Sequence, residues 1–268
     1  MELFIDPVIF KLGFFELRWY SVAYIFGFIS AGFLAFFLNK FASKEQELSK
    51  INLDYLINYC IFGVILGGRF GYVIFYEPLF FLQNPLQIFA IWNGGMSFHG
   101  GLLGVIIALI FFAKKKTYDV WHLFDRAAIC VLPGLFFGRI ANFINGELWG
   151  KVTTLPIGFI FPASGTFEAR HPSQLYEAML EGLLPFVIFL ILLKFTKLFQ
   201  KKIVFASLFL IFYGSARFVV EAFFREPHGI FDFKLFALST GQLLSIPMIF
   251  LGLILLFAKV QKQVSAIR

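Results

Sequence analysis

The chain has 268 residues, 59% of them apolar, with a mean hydropathy of +0.82 and a formal net charge of +7. Soluble domains hold about 45 to 50% apolar residues, so a soluble globular fold has the wrong composition and the bilayer is the solvent to reason with. The basic residues are dispersed between apolar runs rather than gathered on one face, which argues against a nucleic-acid partner and makes them topology signals.

The stretch from Met1 to Tyr20 carries Asp6, Pro7, Glu16 and Arg18 and lacks a short apolar h-region with a small-residue cleavage site, so no removable signal peptide is expected. A spanning helix needs about 20 predominantly apolar residues. Seven runs qualify: residues 20–38, 55–75, 95–112, 122–143, 175–193, 203–223 and 239–258. The fourth is interrupted by Asp125, Arg126, Pro133 and Arg139. Cys60 and Cys130 sit inside apolar runs without metal-ligand or CxxC spacing and read as small buried hydrophobes. No internal repeat or linker is evident, so residues 1–268 are expected to form a single all-α domain, a polytopic helical membrane protein with seven transmembrane helices.

Short cytoplasmic loops are enriched in Lys and Arg. One alternating set of connections holds 13 such residues: Lys40, Lys44, Lys50, Lys114 to Lys116, Lys194, Lys197, Lys201, Lys202, Lys259, Lys262 and Arg268. The opposite set holds six: Lys11, Arg18, Lys151, Arg170, Arg225 and Lys234; the connection from Tyr76 to Asn93 has none. This imbalance places the N-terminus outside and the C-terminus in the cytoplasm, consistent with an odd number of spans. The outer connection from Asn145 to Gln174 is long and rich in Gly, Pro and Thr, as lids and binding elements often are.

Arg69, Arg126, Arg139 and Arg217 remain inside apolar runs. Arginine at the bilayer centre costs about 2.5 to 3.5 kcal/mol, so each needs a partner, a wet cavity or an interface. Arg126, beside Asp125 at the inner end of its run, is expected to snorkel to the cytoplasmic surface. Arg69, near mid-span in GGRFGY, reads equally as functional or as a buried structural pair. Arg217 lies roughly 21 Å, and Arg139 about 25 Å, from the inner ends of their runs, both in the outer half. Glu221 stands four residues beyond Arg217, so a simple ion pair on one helix face is the alternative reading there.

Other polar groups gather at the same outer ends. His99 lies in GGMSFHGGLLG; Asn142, Asn145, Gly146, Glu147 and Gly150 follow Arg139 in GRIANFINGELWG; His171, Ser173, Gln174, Tyr176 and Glu177 lie in RHPSQLYEA. Trp19, which opens the first run before Tyr20, reads as an interfacial aromatic. Two arginines at headgroup depth suit a phosphate, because planar guanidiniums offer paired donors and stay charged. An anionic phospholipid is the natural ligand.

GRIANFINGELWG, HGGLLG after GGMSF, RHPSQLYEA and YGSARFVVEAFFREP, in this order, resemble the prolipoprotein diacylglyceryl transferases, and the likeness runs from DPVIF through LRWY to the seventh span. The resemblance implies a seven-span protein of the bacterial inner (cytoplasmic) membrane, N-terminus outside, its active site towards the outer leaflet. It implies transfer of a diacylglyceryl group from phosphatidylglycerol to the lipobox cysteine of a prolipoprotein, with thioether formation and release of glycerol phosphate, as the first step of lipoprotein maturation. Both partners are membrane-embedded, and no cofactor or metal is implied. By the same likeness Arg139 is the principal phosphatidylglycerol-binding arginine and Arg217 a second essential one. Tyr20, Asn142, Glu147, Gly150, Tyr213 and Glu221 surround the same pocket, and His99 is the residue that activates the thiol.

The residue types fit that chemistry. A thiol has a pKa of about 8.5 and reacts as thiolate, so a base such as histidine is needed. The alternative for His99 is a histidine bonded to backbone at a glycine-broken helix start. Fixed arginines stabilise the charge that grows on the leaving phosphate. A transporter or channel would show polar residues through the full depth and often inverted repeats, and neither is apparent. A phospholipid phosphatase or acyltransferase needs its own nucleophile, acid and base, and a lipid-binding scaffold leaves His99 unexplained.

Overall fold

The computed structural model describes residues 5–12, 15–91, 94–227, 229–232 and 237–265. Asn93, Lys234 and Arg268, which entered the comparison of loop charges, lie outside the described residues. The chain is mostly helical and divides into two compact units, the described parts of Met1–Phe37 with Asp125–Arg268, and of Leu38–Phe124. Among the described residues, six helices have the length and apolar composition to cross a membrane: Trp19–Lys40, Lys50–Phe75, Val120–Ile144, Ser173–Phe195, Val204–Phe223 and Thr240–Ala258. The protein is a multi-pass membrane protein.

The first unit opens with an antiparallel hairpin, β1 (Val8–Leu12) and β2 (Phe15–Arg18), which the all-α expectation did not contain. Glu16 lies 2.7 Å from Lys11 and 2.8 Å from Arg18. The hydrogen bond from Lys11, then that from Arg18, lowers the Glu16 carboxyl to a pKa of about 2. The Trp19 N–H donates to the Pro7 carbonyl at 3.1 Å and ties the hairpin to the first turn of α1 (Trp19–Phe37).

The second unit is built on α2 (Lys50–Phe75), the short α3 (Pro78–Gln83) and α4 (Phe98–Lys116). The Ser49 and Ser97 hydroxyls cap α2 and α4, accepting from the Asn52 and Gly100 N–H groups at 3.2 Å each. α4 ends on Lys114 to Lys116, where the carbonyl end of a helix favours cations. Glycines let α2 and α4 touch backbone to backbone. A Cβ at Gly100 would strike the Gly67 carbonyl, and one at Gly104 the Gly63 carbonyl. In lipid, apolar burial gives helices no drive to associate, and close approach of this kind supplies the van der Waals contact instead.

Arg69 leaves α2 for the connection that leads to α4 and is 5% exposed. Its partners are carbonyl oxygens rather than the carboxylate of an ion pair. Nε donates to Ile88 at 2.8 Å, Nη1 to Gly94 at 2.5 Å and Gly95 at 3.1 Å, and Nη2 to Gln87 at 2.5 Å and Ala90 at 3.2 Å. The Phe81 ring centre lies 5.1 Å from the guanidinium. Five carbonyl dipoles thus hold the cation without burying a second full charge, and the connection is gathered around one side chain.

The first unit resumes within α5 (Val120–Ile144), which runs continuously through Asp125, Arg126, Pro133 and Arg139. Then come α6 (Ser173–Glu177), a π-turn (Ala178–Leu183), α7 (Leu184–Phe195), α8 (Val204–Phe223) and α9 (Thr240–Ser265). Two further hairpins, β3 (Phe159–Ile160) with β4 (Ala169–Arg170) and β5 (Ile230–Asp232) with β6 (Ala237–Ser239), fold the connections after α5 and α8. Asp125 is fully buried, and its Oδ1 accepts the Ala206 N–H at 2.8 Å. Ile203, at the N-cap before α8, has a φ of 62° and a side chain without a cap oxygen, so Asp125 supplies the cap from another helix. Arg126 does not snorkel. It is buried, donates to the Ala35 carbonyl of α1 and lies 5.7 Å from the Phe199 ring centre. Backbone satisfaction and a π-face replace the aqueous interface as its means of lying at that depth.

The π-turn positions the site. Pro185 has no N–H to return to the Glu181 carbonyl, and the wider turn just before it accommodates the break. At Gly182 a Cβ would lie 2.8 Å from the Phe136 backbone, so glycine lets the π-turn press against α5 about one turn before Arg139.

Candidate active site

Arginines at membrane depth need counter-charges. Three carboxylates surround three guanidiniums, so the cluster balances formally. Glu177 is the centre: Oε1 is 2.7 Å from Arg217 and 2.5 Å from Arg225, and Oε2 is 3.0 Å from Arg139. Glu181 Oε2 accepts from Arg139 Nη2 at 2.9 Å and Nε at 3.1 Å, while its Oε1 lies 3.8 Å from Arg217. Glu221 Oε1 is 2.5 Å from Arg217 and 3.5 Å from Arg225, and its Oε2 accepts the Ser239 hydroxyl at 3.0 Å. Gly241 lies so close to Glu221 that a Cβ there would collide with the carboxylate. Glu177 and Glu181 side chains are fully buried, whereas Arg139 and Arg217 keep 16% and 17% of theirs exposed. A ligand therefore meets the network at guanidinium edges.

The expected Arg217–Glu221 pair is present as one link of this larger network. Arg225, counted as a loop cation in the charge comparison, is instead buried inside it at 4% exposure. Glu181 and the central role of Glu177 were not read from the sequence. The signal was available, because two acids four residues apart in an apolar run need partners for the same reason the arginines do.

A second polar knot lies where α5 ends. Glu147 Oε1 accepts from Asn142 Nδ2 at 2.8 Å and Asn145 Nδ2 at 3.3 Å, and the Glu147 carbonyl accepts from Gln174 Nε2 at 2.6 Å. Gly146 at φ 65° and Leu148 at φ 61° turn the chain sharply around it. The Gly150 N–H donates to the His171 carbonyl at 2.9 Å, and a side chain at this position would collide with the His171 and Phe224 carbonyls. Gly150 also bridges Arg225 in antiparallel fashion, which joins the knot to the arginine network. His171 shares a hydrogen bond with the Tyr176 hydroxyl at 3.2 Å, and burial pushes the imidazole below its ordinary pKa. The long connection is held at both ends.

The structure thus brings Arg139, Arg217 and Glu221 together, with Tyr213 on α8 within electrostatic reach of Arg139 and Glu181. Asn142, Glu147 and Gly150 form the adjoining knot. Tyr20 is half-buried at the second position of α1, its ring 5.2 Å from that of Tyr24. His99 belongs to the second unit, exposed in the first turn of α4. Cys60 is half-buried and Cys130 buried, and among the described residues neither is in a disulfide.

The family model described as prolipoprotein diacylglyceryl transferase matches residues 7–258. Proteins named phosphatidylglycerol–prolipoprotein diacylglyceryl transferase are similar over almost the entire chain. That of Ehrlichia canis (strain Jake) is 47% identical over 265 residues, covering 98% of this chain and 100% of its own. That of Oleidesulfovibrio alaskensis is 47% identical over 265 residues, covering 98% and 97%. That of Dechloromonas aromatica (strain RCB) is 48% identical over 250 residues, covering 92% of each. With a family match across nearly its full length and relatives at this identity, the chain belongs to the prolipoprotein diacylglyceryl transferase family.

Proposed function

We propose that this protein transfers the diacylglyceryl group of phosphatidylglycerol to prolipoproteins, the first step of lipoprotein maturation. The observation that carries the site assignment is the pair Arg139 and Arg217, which offer guanidinium edges from an otherwise buried, charge-balanced network. Those edges bind the phosphate of the headgroup. The thiolate of the lipobox cysteine attacks the adjacent glyceryl carbon, a C–S bond forms as the C–O bond breaks, and glycerol phosphate leaves with the electron pair. The negative charge that grows on the phosphate is met by cations already in place. His99 takes the thiol proton, and Tyr20, Asn142, Glu147, Gly150, Tyr213 and Glu221 shape the headgroup site.

For topology we assign seven spans in a single domain that includes both units, with α4 as the span beyond the six. Its 19 residues reach about 28 Å, close to the hydrocarbon thickness. The loop charges support an N-terminus outside, a C-terminus in the cytoplasm and a site towards the outer leaflet of the bacterial inner membrane.

Purified protein incubated with phosphatidylglycerol and a lipobox-cysteine peptide should add one diacylglyceryl group to the peptide and release glycerol phosphate. Arg139→Ala and Arg217→Ala should abolish both readouts. Full activity in a folded Arg139→Ala variant would refute the phosphate assignment, and residual activity in His99→Ala would remove the histidine from the role of base.

A further inference from the structure

Arg139 and Arg217 are the proposed phosphate ligands, yet two carboxylates stand between them. Glu177 touches both arginines, at 3.0 Å and 2.7 Å, and Glu181 lies 2.9 Å from one and 3.8 Å from the other. The two acids are not held alike. Glu177 is fixed by three guanidiniums from two segments, whereas Glu181 Oε2 is held by Arg139. Each acid keeps one buried oxygen without a hydrogen bond, but Glu177 Oε2 lies 3.0 Å from Arg139, while Glu181 Oε1 lies 3.8 Å from Arg217. The charge balance adds a second constraint. Three arginines and three glutamates sum to zero, so a phosphodiester entering unchanged leaves a buried excess of one negative charge, which a low-dielectric site resists.

We infer that Glu181 is a displaceable counter-ion: when the phosphodiester arrives it gives up the Nε and Nη2 edge of Arg139 and takes one proton, so that headgroup binding is coupled to proton uptake. The balance is one carboxylate and one proton from water becoming one carboxylic acid, while the phosphodiester keeps its single charge and its place on the arginines. The groups facing Glu181 are Arg139 from α5, Tyr213 and Arg217 from α8, and Glu177 from α6 on its own helix. Among these, Glu177 cannot take the same part without releasing Arg217 and Arg225 as well. The site on the π-turn is consistent with such a role, since π-turns inside α-helices are frequent at functional positions. Glu181 is a positioning residue here, acting through Arg139.

This coupling rests on the assignment of Arg139 and Arg217 to the phosphate, and the test separates the two. Binding of phosphatidylglycerol to the full-length protein in mixed micelles is followed by titration calorimetry in buffers of different ionisation enthalpy, for wild type and Glu181→Gln. Transfer activity of the wild type is measured in parallel. The wild type should take up about one proton per lipid bound, with affinity falling by up to about tenfold for each pH unit on the alkaline side. The bound state holds the extra proton, so affinity must rise as pH falls. Glu181→Gln, neutral and nearly isosteric, should take up none, lose the pH slope and bind more tightly than wild type at alkaline pH. Equal proton uptake in wild type and a folded Glu181→Gln overturns the assignment to Glu181. If the variant does not fold, the wild type decides alone, because transfer with no proton uptake on binding overturns the coupling while leaving the function intact. A wild type that neither binds the lipid nor transfers overturns the functional reading instead.

Discussion

Replacing Glu177 by Gln tests whether the arginine network is a single unit. Its carboxylate contacts Arg139, Arg217 and Arg225 within 3.0 Å, and its side chain is fully buried. Glutamine keeps the shape but leaves one uncompensated positive charge among three guanidiniums. Breaking a buried pair by removing one partner costs about 3 to 5 kcal/mol. Arg225→Gln creates the opposite excess, because Arg225 Nη1 loses Glu177 and its Nε leaves Glu221 at 3.5 Å. The double variant restores neutrality, so its cost should fall short of the summed single costs by about 1 to 3 kcal/mol, the range seen for contacting residues. Equilibrium unfolding in mixed micelles, followed by circular dichroism across a denaturing-detergent titration, measures all three variants against wild type. Single costs under about 1 kcal/mol, or a double cost additive within about 0.5 kcal/mol, would refute a shared charge balance.

The glycine contact predicts that Gly104→Ala destabilises the protein by about 1 to 3 kcal/mol, since the new methyl meets the Gly63 carbonyl and backbone must move. Gly101→Ala, whose Cβ would find only Val64 at 3.6 Å or beyond, should be neutral or slightly stabilising when both variants are compared in the same detergent titration. Arg69→Lys keeps the charge but has no fork to serve five carbonyls, so limited proteolysis between α3 and α4 should accelerate at least about tenfold. Unchanged cleavage would mean that Arg69 does not organise the connection. For Glu16, the folded pKa of about 2 lies below the ordinary value of 4.5, so its contribution to the hairpin is present above the higher value and is lost as pH falls towards the lower. Amide exchange in β1 should therefore rise between these pH values, and Glu16→Gln should remove that dependence.

Hydropathy made the helices legible because a bilayer-spanning segment has to be apolar along its length. Even α5 follows its apolar run through three charges and a proline, since Asp125, Arg126 and Arg139 find partners that no local pattern shows. The cap Asp125 gives to α8 joins residues 81 apart in sequence, and Arg126 rests on a carbonyl 91 residues away. Arg69 was visible as an anomaly, but its ligands are main-chain oxygens, which every residue possesses and no side-chain motif reveals. Arg139, Arg217 and Glu221 could be read from depth and helical spacing. Arg225 was hidden by its place just past the end of α8, where a cation looks like an ordinary loop charge. Glu181 belongs to no motif, and only its spacing of four from Glu177 in an apolar run marks it. The short hairpins depend on pairing between strands of two to five residues, too brief for alternation to register.

The glycine contact between α2 and α4 also has a consequence for how the gene can drift. Any single-base change in the first two positions of a glycine codon puts a side chain, a charge or a stop in its place, and the smallest side chain, alanine, already brings the Cβ that Gly63, Gly67, Gly71, Gly100 and Gly104 exclude. A matching change on the facing helix offers no rescue, because the obstacle is main chain and cannot be mutated away. Exposed apolar positions of α2, such as Phe62, Leu66 and Phe70, should tolerate other apolar residues. Deep mutational scanning of α2 should therefore show a narrow inert stripe at every fourth codon beside freely interchangeable neighbours, and only synonymous third-base changes should accumulate along that stripe.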